Sequence, residues 1–355
     1  MPGRPPAVAR VLTQATATMR AHRMVEPGEL VLVAVSGGPD SVCLLYTLHG
    51  LRRLFRMKIA VFHFDHRLRE DSAADAAYVR RLAERLGLPF HLRAAAGAPA
   101  KGESVEAWAT GQRGNAGNDV RREIGAEHTA EGHTLDDQAE TVLLNLVRGT
   151  GIEGLAGIDP GGARQGRLIQ PLLEVTRADV EAFCRSLHLR PRRDPMNEDR
   201  RYLRAAVRHD VLPMLERATG RGVREPIVRT ADTIRRDRDE LRERTVQLYQ
   251  QLVDEPAGAV RFDAAGLTAL SEPVAARLIR FAAYQVLSID AQAPWTKAGI
   301  DAILDLAGGR PGRRRDLSDG RVALRDRTHV VVTRAERDDQ AHDQADNQAD
   351  NQADK

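Results

Sequence analysis

The stretch that decides the fold is Glu29-Leu-Val-Leu-Val-Ala-Val35, which is followed by Ser36-Gly-Gly-Pro-Asp-Ser41 and then by Val42-Cys-Leu-Leu-Tyr-Thr-Leu48. The first run has the length and the β-branched content of a buried strand in a parallel sheet. The leucines of the third run recur on one face of a helix. The sequence therefore predicts a strand, a tight glycine turn and a helix that begins at the turn.

The turn, Ser36–Ser41, has the features of a phosphate-binding loop. Backbone N–H groups at a helix start lack partners and the helix dipole favours anions, while Gly37 and Gly38 let a ligand approach the backbone closely. The loop lacks the lysine of a Walker P-loop and the third glycine of a dinucleotide fingerprint, so neither site is predicted. Asp40 supplies a hard oxygen ligand for magnesium beside a phosphate. The alternative is an ordinary strand-to-helix turn.

Length, composition and charge set the outer bounds. A chain of 355 residues with 42% hydrophobic content is long enough for two or three domains. It has no apolar run of membrane-spanning length and no signal-peptide core at its start, so we expect a cytoplasmic protein without a membrane partner. Cys43 and Cys184 lie far apart in apolar patterns and are expected in the core.

Strands and helices alternate on both sides of the loop. Helices are predicted over 7–23 and 73–86, and further strands over 58–64 and 89–93. This order predicts an α/β fold with a doubly wound parallel sheet that binds ligands at the carboxyl ends of its strands. His63 and His66 follow the second strand and are placed next to the phosphate loop, although a basic surface loop would have the same composition.

A second motif, Gly132-His-Thr-Leu-Asp-Asp-Gln-Ala-Glu-Thr141, begins another helix. Thr134 and Asp137 have the spacing of a capping box. Asp137 and Glu140 lie three residues apart on one face, which makes a small anionic pocket near the helix start. A well-capped, solvated helix is the alternative.

These motifs resemble two nested families. Ser36–Ser41 is similar to the S-G-G-x-D-S loop of the N-type ATP pyrophosphatases, also called the PP-loop superfamily. Within that superfamily, His63-Phe-Asp-His-Arg-Leu-Arg69 and Gly132–Thr141 resemble segments of the tRNA(Ile)-lysidine synthases, as does Arg148-Gly-Thr-Gly-Ile-Glu-Gly-Leu-Ala-Gly157. The segment 109–114 departs from the family pattern.

The resemblance implies an adenine nucleotide alpha hydrolase-like fold and a ligase that uses ATP and Mg²⁺. Such an enzyme attaches L-lysine to the wobble cytidine of the CAU anticodon of tRNA(Ile), through an adenylated cytidine, and releases AMP and pyrophosphate. Its partners are that tRNA and L-lysine. Another tRNA-modifying PP-loop enzyme and a catalytically degenerate RNA-binding homologue are the alternatives. The degenerate homologue is supported by the segment 109–114, which departs from the family pattern, and by Ala205, which replaces a family asparagine.

The resemblance also assigns roles to individual residues. Asp40 and Asp137 are expected to be catalytic and to hold the metal. The remaining groups are expected to bind the nucleotide (Ser36, Gly37, Gly38, Pro39, Asp40, Ser41, His63 and His66), the lysine (Asp137, Glu140 and Arg113) and the tRNA (Arg148, Arg204 and Arg208).

Three domains are predicted: a PP-loop ATP pyrophosphatase domain over 1–213, a helical tRNA-binding domain over 214–336 and a disordered acidic tail over 337–355. The middle domain has a seven-residue apolar repeat, read as one long helix, and ends in a β-hairpin over 321–325 and 329–333. The same repeat is also compatible with a coiled-coil contact between two copies of the chain, so a homodimer is an alternative. Residues 338–355 hold six aspartates and one lysine, so the rest of the chain carries +8. Such a basic body suits a polyanionic partner.

One segment is expected to be irregular or mobile. Residues 104–117 include Gly111, Gly114 and Gly117, each of which costs a helix about 1 kcal/mol relative to alanine.

Overall fold

A five-stranded parallel sheet in the order β3-β2-β1-β4-β5 forms the centre of the first half of the chain. The computed structural model describes residues 4–67, 72–97, 105–161, 167–192, 200, 203–256, 258–287, 296–317 and 320–334. The strands are β1 (Leu30–Ala34), β2 (Lys58–Asp65), β3 (Phe90–Ala94), β4 (His128–Ala130) and β5 (Leu168–Ile169). The predicted doubly wound fold is confirmed.

Among the described residues up to Leu252 the chain forms ten α-helices. They are α1 (Pro6–Ala21), α2 (Pro39–Leu51), α3 (Ser72–Leu86), α4 (Val105–Glu123), α5 (Leu135–Val147), α6 (Ile152–Leu155), α7 (Arg177–Ser186), α8 (Leu203–Ala206), α9 (Leu212–Thr219) and α10 (Arg224–Leu252).

Strand β1 is buried on both faces, which explains its continuous apolar sequence. Val31 and Val33 join the core formed with α1, α2, α3 and α7, whereas Leu32 joins the core on the opposite face with Trp108 of α4. Cys43 and Cys184 are buried and free, as expected. Since β1 pairs with both β2 and β4, the strand order reverses at β1 and the loops after β1 and β4 open at the same edge of the sheet.

Helix α4 corrects the expectation of an irregular segment over 104–117. Residues Val105–Glu123 form one continuous helix despite its three glycines. Trp108 and Val120 are buried against the sheet, and a Cβ built on Gly117 would lie 3.3 Å from the ring of Phe62. Tertiary packing therefore outweighs the low helix propensity, and Gly117 lets the helix approach β2 closely.

Gly114→Ala should stabilise the protein by up to about 1 kcal/mol, because a methyl group there meets open space and a helical glycine costs backbone entropy. Urea unfolding followed by circular dichroism measures the change. Gly117→Ala is the matched control and should give no gain, since its new methyl group presses on Phe62. A destabilised Gly114→Ala variant would contradict this account of α4.

The chain divides into two compact units, Met1–Arg236 and Asp237–Lys355. This division lies within α10, 23 residues beyond the predicted boundary after Pro213, because Val228 packs with Leu135 and Ala139 of α5. The predicted division of roles between 1–213 and 214–336 stays a prediction. The predicted tail, 337–355, lies outside the described residues.

The second unit combines helices with an antiparallel sheet of order β6-β7-β10-β9-β8. The predicted hairpin is confirmed as β9 and β10, and the single long helix is confirmed as α10. The further elements are β6 (Val253–Asp254), β7 (Ala259–Asp263), α11 (Ala264–Ala269), α12 (Glu272–Leu287), α13 (Lys297–Ala307), β8 (Arg314–Asp316), β9 (Arg321–Arg325) and β10 (His329–Arg334). The suggested homodimer stays a prediction. No helix within the described ranges is long and apolar enough to cross a membrane.

Candidate active site

The phosphate loop, Ser36–Ser41, is organised by its own serines. Ser41 Oγ accepts the N–H of Gly37 at 3.2 Å and donates to the carbonyl of Gly38 at 3.0 Å, and Ser36 Oγ accepts the N–H of Gly38 at 3.3 Å. Gly37 has a φ of 97°, a left-handed conformation that favours glycine. Gly38 caps α2 without a side chain and Pro39 follows it. The loop thus presents an uncapped helix start, the arrangement that binds anions.

Asp40 lies in the first turn of α2 with a carboxylate oxygen that has no partner. Its Oδ1 is buried without a hydrogen bond, and its Oδ2 lies 3.9 Å from Nη2 of Arg177. Burial raises the pKa of Asp40 to about 6, although Arg177 opposes this shift. The free oxygen and the high pKa both indicate a carboxylate that is incomplete without a further cation.

The capping box predicted at the start of α5 is confirmed. The hydroxyl and the backbone N–H of Thr134 donate to Asp137 Oδ2 at 2.7 and 2.9 Å, and the N–H of Asp137 donates back to Thr134 Oγ1 at 3.4 Å. One oxygen of Asp137 is therefore committed to the cap. The other, Oδ1, faces the arginines described below.

Gly132 joins the second motif to the phosphate loop. A Cβ built on Gly132 would lie 3.0 Å from the carbonyl carbon and oxygen of Asp40 and 3.2 Å from the backbone nitrogen of Ser41. The two motifs therefore pack backbone against backbone at the carboxyl edge of β1 and β4. The sequence analysis assigned no role to Gly132, although a glycine as the first residue of the motif could have indicated a close backbone contact.

Gly132→Ala should lower AMP formation by at least about tenfold, because the methyl group forces the two motifs apart and misplaces Asp40 relative to Asp137. A nucleotide-release assay with labelled ATP measures the loss. Gly114→Ala adds the same methyl group in open space and should keep full activity. Normal turnover in Gly132→Ala would show that this contact does not set the site.

Asp137 Oδ1 is the meeting point of three guanidinium groups. The Nη2 atoms of Arg177, Arg204 and Arg208 lie 3.4, 3.3 and 3.2 Å from it. Burial alone would raise the pKa of Asp137, but Arg177 and Arg204 outweigh that effect, so the pKa is lowered. Asp137 is therefore held ionised.

Glu140 is buried, with 1% of its surface exposed, and is bound by the same helical segment. Arg208 donates from Nε to Oε1 at 2.6 Å and from Nη2 to Oε2 at 2.8 Å, and Arg204 Nε donates to Oε2 at 3.1 Å. We call Asp137 and Glu140 the carboxylate pair and Arg204 and Arg208 the arginine pair. Residues that the sequence assigned to lysine and to tRNA thus contact one another directly.

The arginine pair lies on α8 and on a π-helical turn, Val207–Val211. The N–H of Leu212 donates to the carbonyl of Val207, five residues back. Pro213 follows at once and has no N–H to donate, which favours a break in the regular hydrogen-bond ladder at this point. Ala205, where the resembled family has asparagine, is buried beside the arginines.

Comparison with known proteins assigns the family. The model of the PP-loop domain matches residues 9–215. The tRNA(Ile)-lysidine synthase of Thermobifida fusca is 37% identical over 337 residues, which cover 89% of this chain and 98% of that protein. The chain belongs to the tRNA(Ile)-lysidine synthase family of PP-loop proteins.

Other relatives agree on the family and differ in length. The tRNA(Ile)-lysidine synthase of Symbiobacterium thermophilum is 37% identical over 82% of this chain, and the chain spans 62% of that relative's length. A structure of the U34-tRNA thiolase of Methanococcus maripaludis superposes with a TM-score of 0.55 at 19% identity, covering 64% of this chain and 78% of that one. This likeness supports the predicted adenine nucleotide alpha hydrolase-like fold.

In this member of the lysidine synthase family, two arginines of the site were missed by sequence reasoning. Arg177 begins α7, and its backbone N–H donates to Asp136 Oδ2 at 2.8 Å while its side chain reaches Asp40 and Asp137. Arg224 Nε lies 3.0 Å from Asp136 Oδ1. In the sequence these two residues are single arginines at the starts of helices, and no recognisable spacing marks them as part of a site.

The remaining predicted residues lie at the end of β2, on α4 and at the end of α5. His63 is buried at the end of β2, with Nδ1 2.7 Å from the carbonyl of Val35, and His66 packs its ring edge-on against Phe64. Arg113 lies on α4 and Arg148 caps the end of α5, and neither forms an ion pair with a described residue. Their predicted roles stay predictions.

The residues present fit a divalent cation. Asp40 offers an unpartnered buried oxygen, and Asp40 and Asp137 share a single cationic atom, Nη2 of Arg177. The described residues contain no cluster of three or more metal-ligating side chains. Two carboxylates suffice for Mg²⁺, which usually completes its octahedral shell with phosphate oxygens and water.

Proposed function

We propose that this chain attaches L-lysine to the wobble cytidine of tRNA(Ile) with a CAU anticodon, using ATP and Mg²⁺ and yielding lysidine, AMP and pyrophosphate. The observation that carries the proposal is the backbone contact of Gly132 with Asp40, which joins a phosphate loop to a buried carboxylate pair. The names of the curated relatives indicate the RNA. A substrate of this kind would place the protein in the cytoplasm.

In the first step the 2-oxo oxygen of cytosine attacks the α-phosphorus of ATP, and pyrophosphate leaves. The N–H groups of Gly37 and Gly38 donate to the loop serines, so the N–H groups at the start of α2 are those proposed to hold the phosphates. The reaction depends on positioning and on neutralising charge. Asp40 and Asp137 would hold Mg²⁺, which when bound supplies a positive charge beside the phosphates. Arg177, between these two aspartates, is placed to add a further positive charge.

In the second step the ε-amine of lysine attacks C2 of the adenylated cytosine, and AMP leaves with the former 2-oxo oxygen. The ε-ammonium loses a proton before it attacks. The carboxylate pair carries the charge that orients an ammonium group, with Glu140 on the turn of α5 that follows the capping partner Asp137. Arg148, Arg204, Arg208 and the helical region over 214–336 are proposed to contact the tRNA.

The dependence of AMP release on the RNA tests this proposal. The full chain is incubated with α-labelled ATP and a tRNA(Ile) transcript that has the CAU anticodon, and AMP is quantified. We expect AMP only when the RNA is present, and none with a transcript whose wobble cytidine is replaced by uridine. Equal AMP release with the two transcripts, or without RNA, would overturn the proposal.

A further inference from the structure

The carboxylate pair that the proposed function assigns to the lysine ammonium is already filled. Each oxygen of Glu140 accepts a hydrogen bond from the arginine pair, and Asp137 Oδ1 is within 3.4 Å of three guanidinium nitrogens. A lysine ε-ammonium has the same charge as these groups and would have to displace them. The arrangement therefore excludes lysine until the arginine pair moves.

The arginines and the carboxylates differ in their access to solvent. The side chains of Glu140 and Asp137 are 1% and 9% exposed, whereas those of Arg204 and Arg208 are 37% and 19% exposed. A polyanion that approaches from solvent can thus reach the guanidinium groups but not the carboxylates. Guanidinium groups bind phosphate and carboxylate with the same bidentate geometry, so an RNA phosphate can replace a carboxylate as their partner.

The backbone that carries the arginine pair is suited to a shift. Helix α8 has only four residues, the π-helical turn follows directly, and Pro213 then removes one N–H from the ladder. π-turns are rare and concentrate at functional sites, where their weaker hydrogen bonding allows rearrangement.

We propose, on the basis of the proposed function, that the arginine pair blocks the lysine site until RNA binds. We call this block the lock. RNA phosphates draw Arg204 and Arg208 away from Glu140 and Asp137. Glu140, whose two oxygens are then free, accepts the lysine ammonium beside Asp137, which keeps its contact with Arg177. Lysine and RNA consequently bind with positive cooperativity. By thermodynamic linkage each tightens the other by the same factor.

Equilibrium dialysis of labelled L-lysine against the full chain, without ATP, tests the lock. We expect the Kd for lysine to fall by at least about tenfold when the CAU transcript is present at saturation. Arg204→Ala should tighten lysine binding without RNA and reduce the effect of RNA, while Glu140 keeps its two contacts with Arg208. Arg185→Ala removes a 71% exposed arginine that pairs with Glu181 and should behave as the wild type.

Lysine Kd values that are equal with and without RNA would reject the lock, as would an Arg204→Ala variant that binds lysine no more tightly than the wild type. The same preparations are assayed for AMP and lysidine. If lysidine forms while the two Kd values agree, the lock fails and the proposed function stands. If neither lysine binding nor lysidine is detected, the proposed function fails and the lock fails with it.

Discussion

Asp40→Asn should reduce AMP formation by at least about a hundredfold while the protein remains folded, because the change removes the negative charge that would hold the metal beside the phosphates. Asp40 Oδ1 has no hydrogen bond and Oδ2 has a long ion pair with Arg177 at 3.9 Å, so the isosteric amide should cost the fold little. AMP release and circular dichroism, measured on the same sample, separate a catalytic loss from unfolding. Asp119→Asn, an exposed carboxylate on α4 paired with Arg122, is the matched control.

The pH profile gives an independent test of Asp40. Its pKa is raised to about 6, so the carboxylate becomes protonated as the pH falls below that value and should then lose its affinity for Mg²⁺. At limiting Mg²⁺ we expect activity to fall on the acid side of pH 6, and saturating Mg²⁺ should shift that limb to lower pH. Full activity of Asp40→Asn at limiting Mg²⁺ would show that Asp40 is not a metal ligand.

Glu140→Gln should raise the KM for lysine by at least about tenfold and leave the KM for ATP within about threefold, since the carboxylate is assigned to the ammonium and not to the phosphates. Steady-state kinetics with each substrate varied in turn measures both constants. Because Glu140 is buried against two arginines, urea unfolding is measured in parallel to confirm that the variant is folded.

Glu181→Gln serves as the control for Glu140→Gln, since Glu181 is half exposed and pairs only with Arg185 among the described residues. It should change neither KM. Equal losses of affinity for lysine and ATP in Glu140→Gln would place Glu140 among the metal ligands instead.

The parts of the fold that sequence predicts well are those determined by local chemistry. The apolar run of β1, the glycines of the loop and the capping residue Thr134 each act over a few positions, and each element lies where it was predicted. The short strands β6 and β8, of two and three residues, were missed because they are too short to show an alternating pattern.

The parts that sequence could not predict depend on contacts between distant residues. Glu140 meets Arg204 and Arg208 at separations of 64 and 68 residues, so nothing in the local sequence showed that these charges neutralise each other. Helix α4 was missed for a related reason. Its glycines lower the local propensity, and the packing of Trp108 and Val120 that compensates is visible only in the fold.

The fate of labelled lysine shows whether this chain forms lysidine. The full chain is incubated with ATP, Mg²⁺, isotope-labelled L-lysine and the CAU transcript of tRNA(Ile), and the RNA is digested to nucleosides for mass spectrometry. We expect a cytidine that has gained one labelled lysine at the wobble position, with one AMP released for each lysine incorporated. An unmodified wobble cytidine, or a modified nucleoside that lacks the label, would contradict the proposed function.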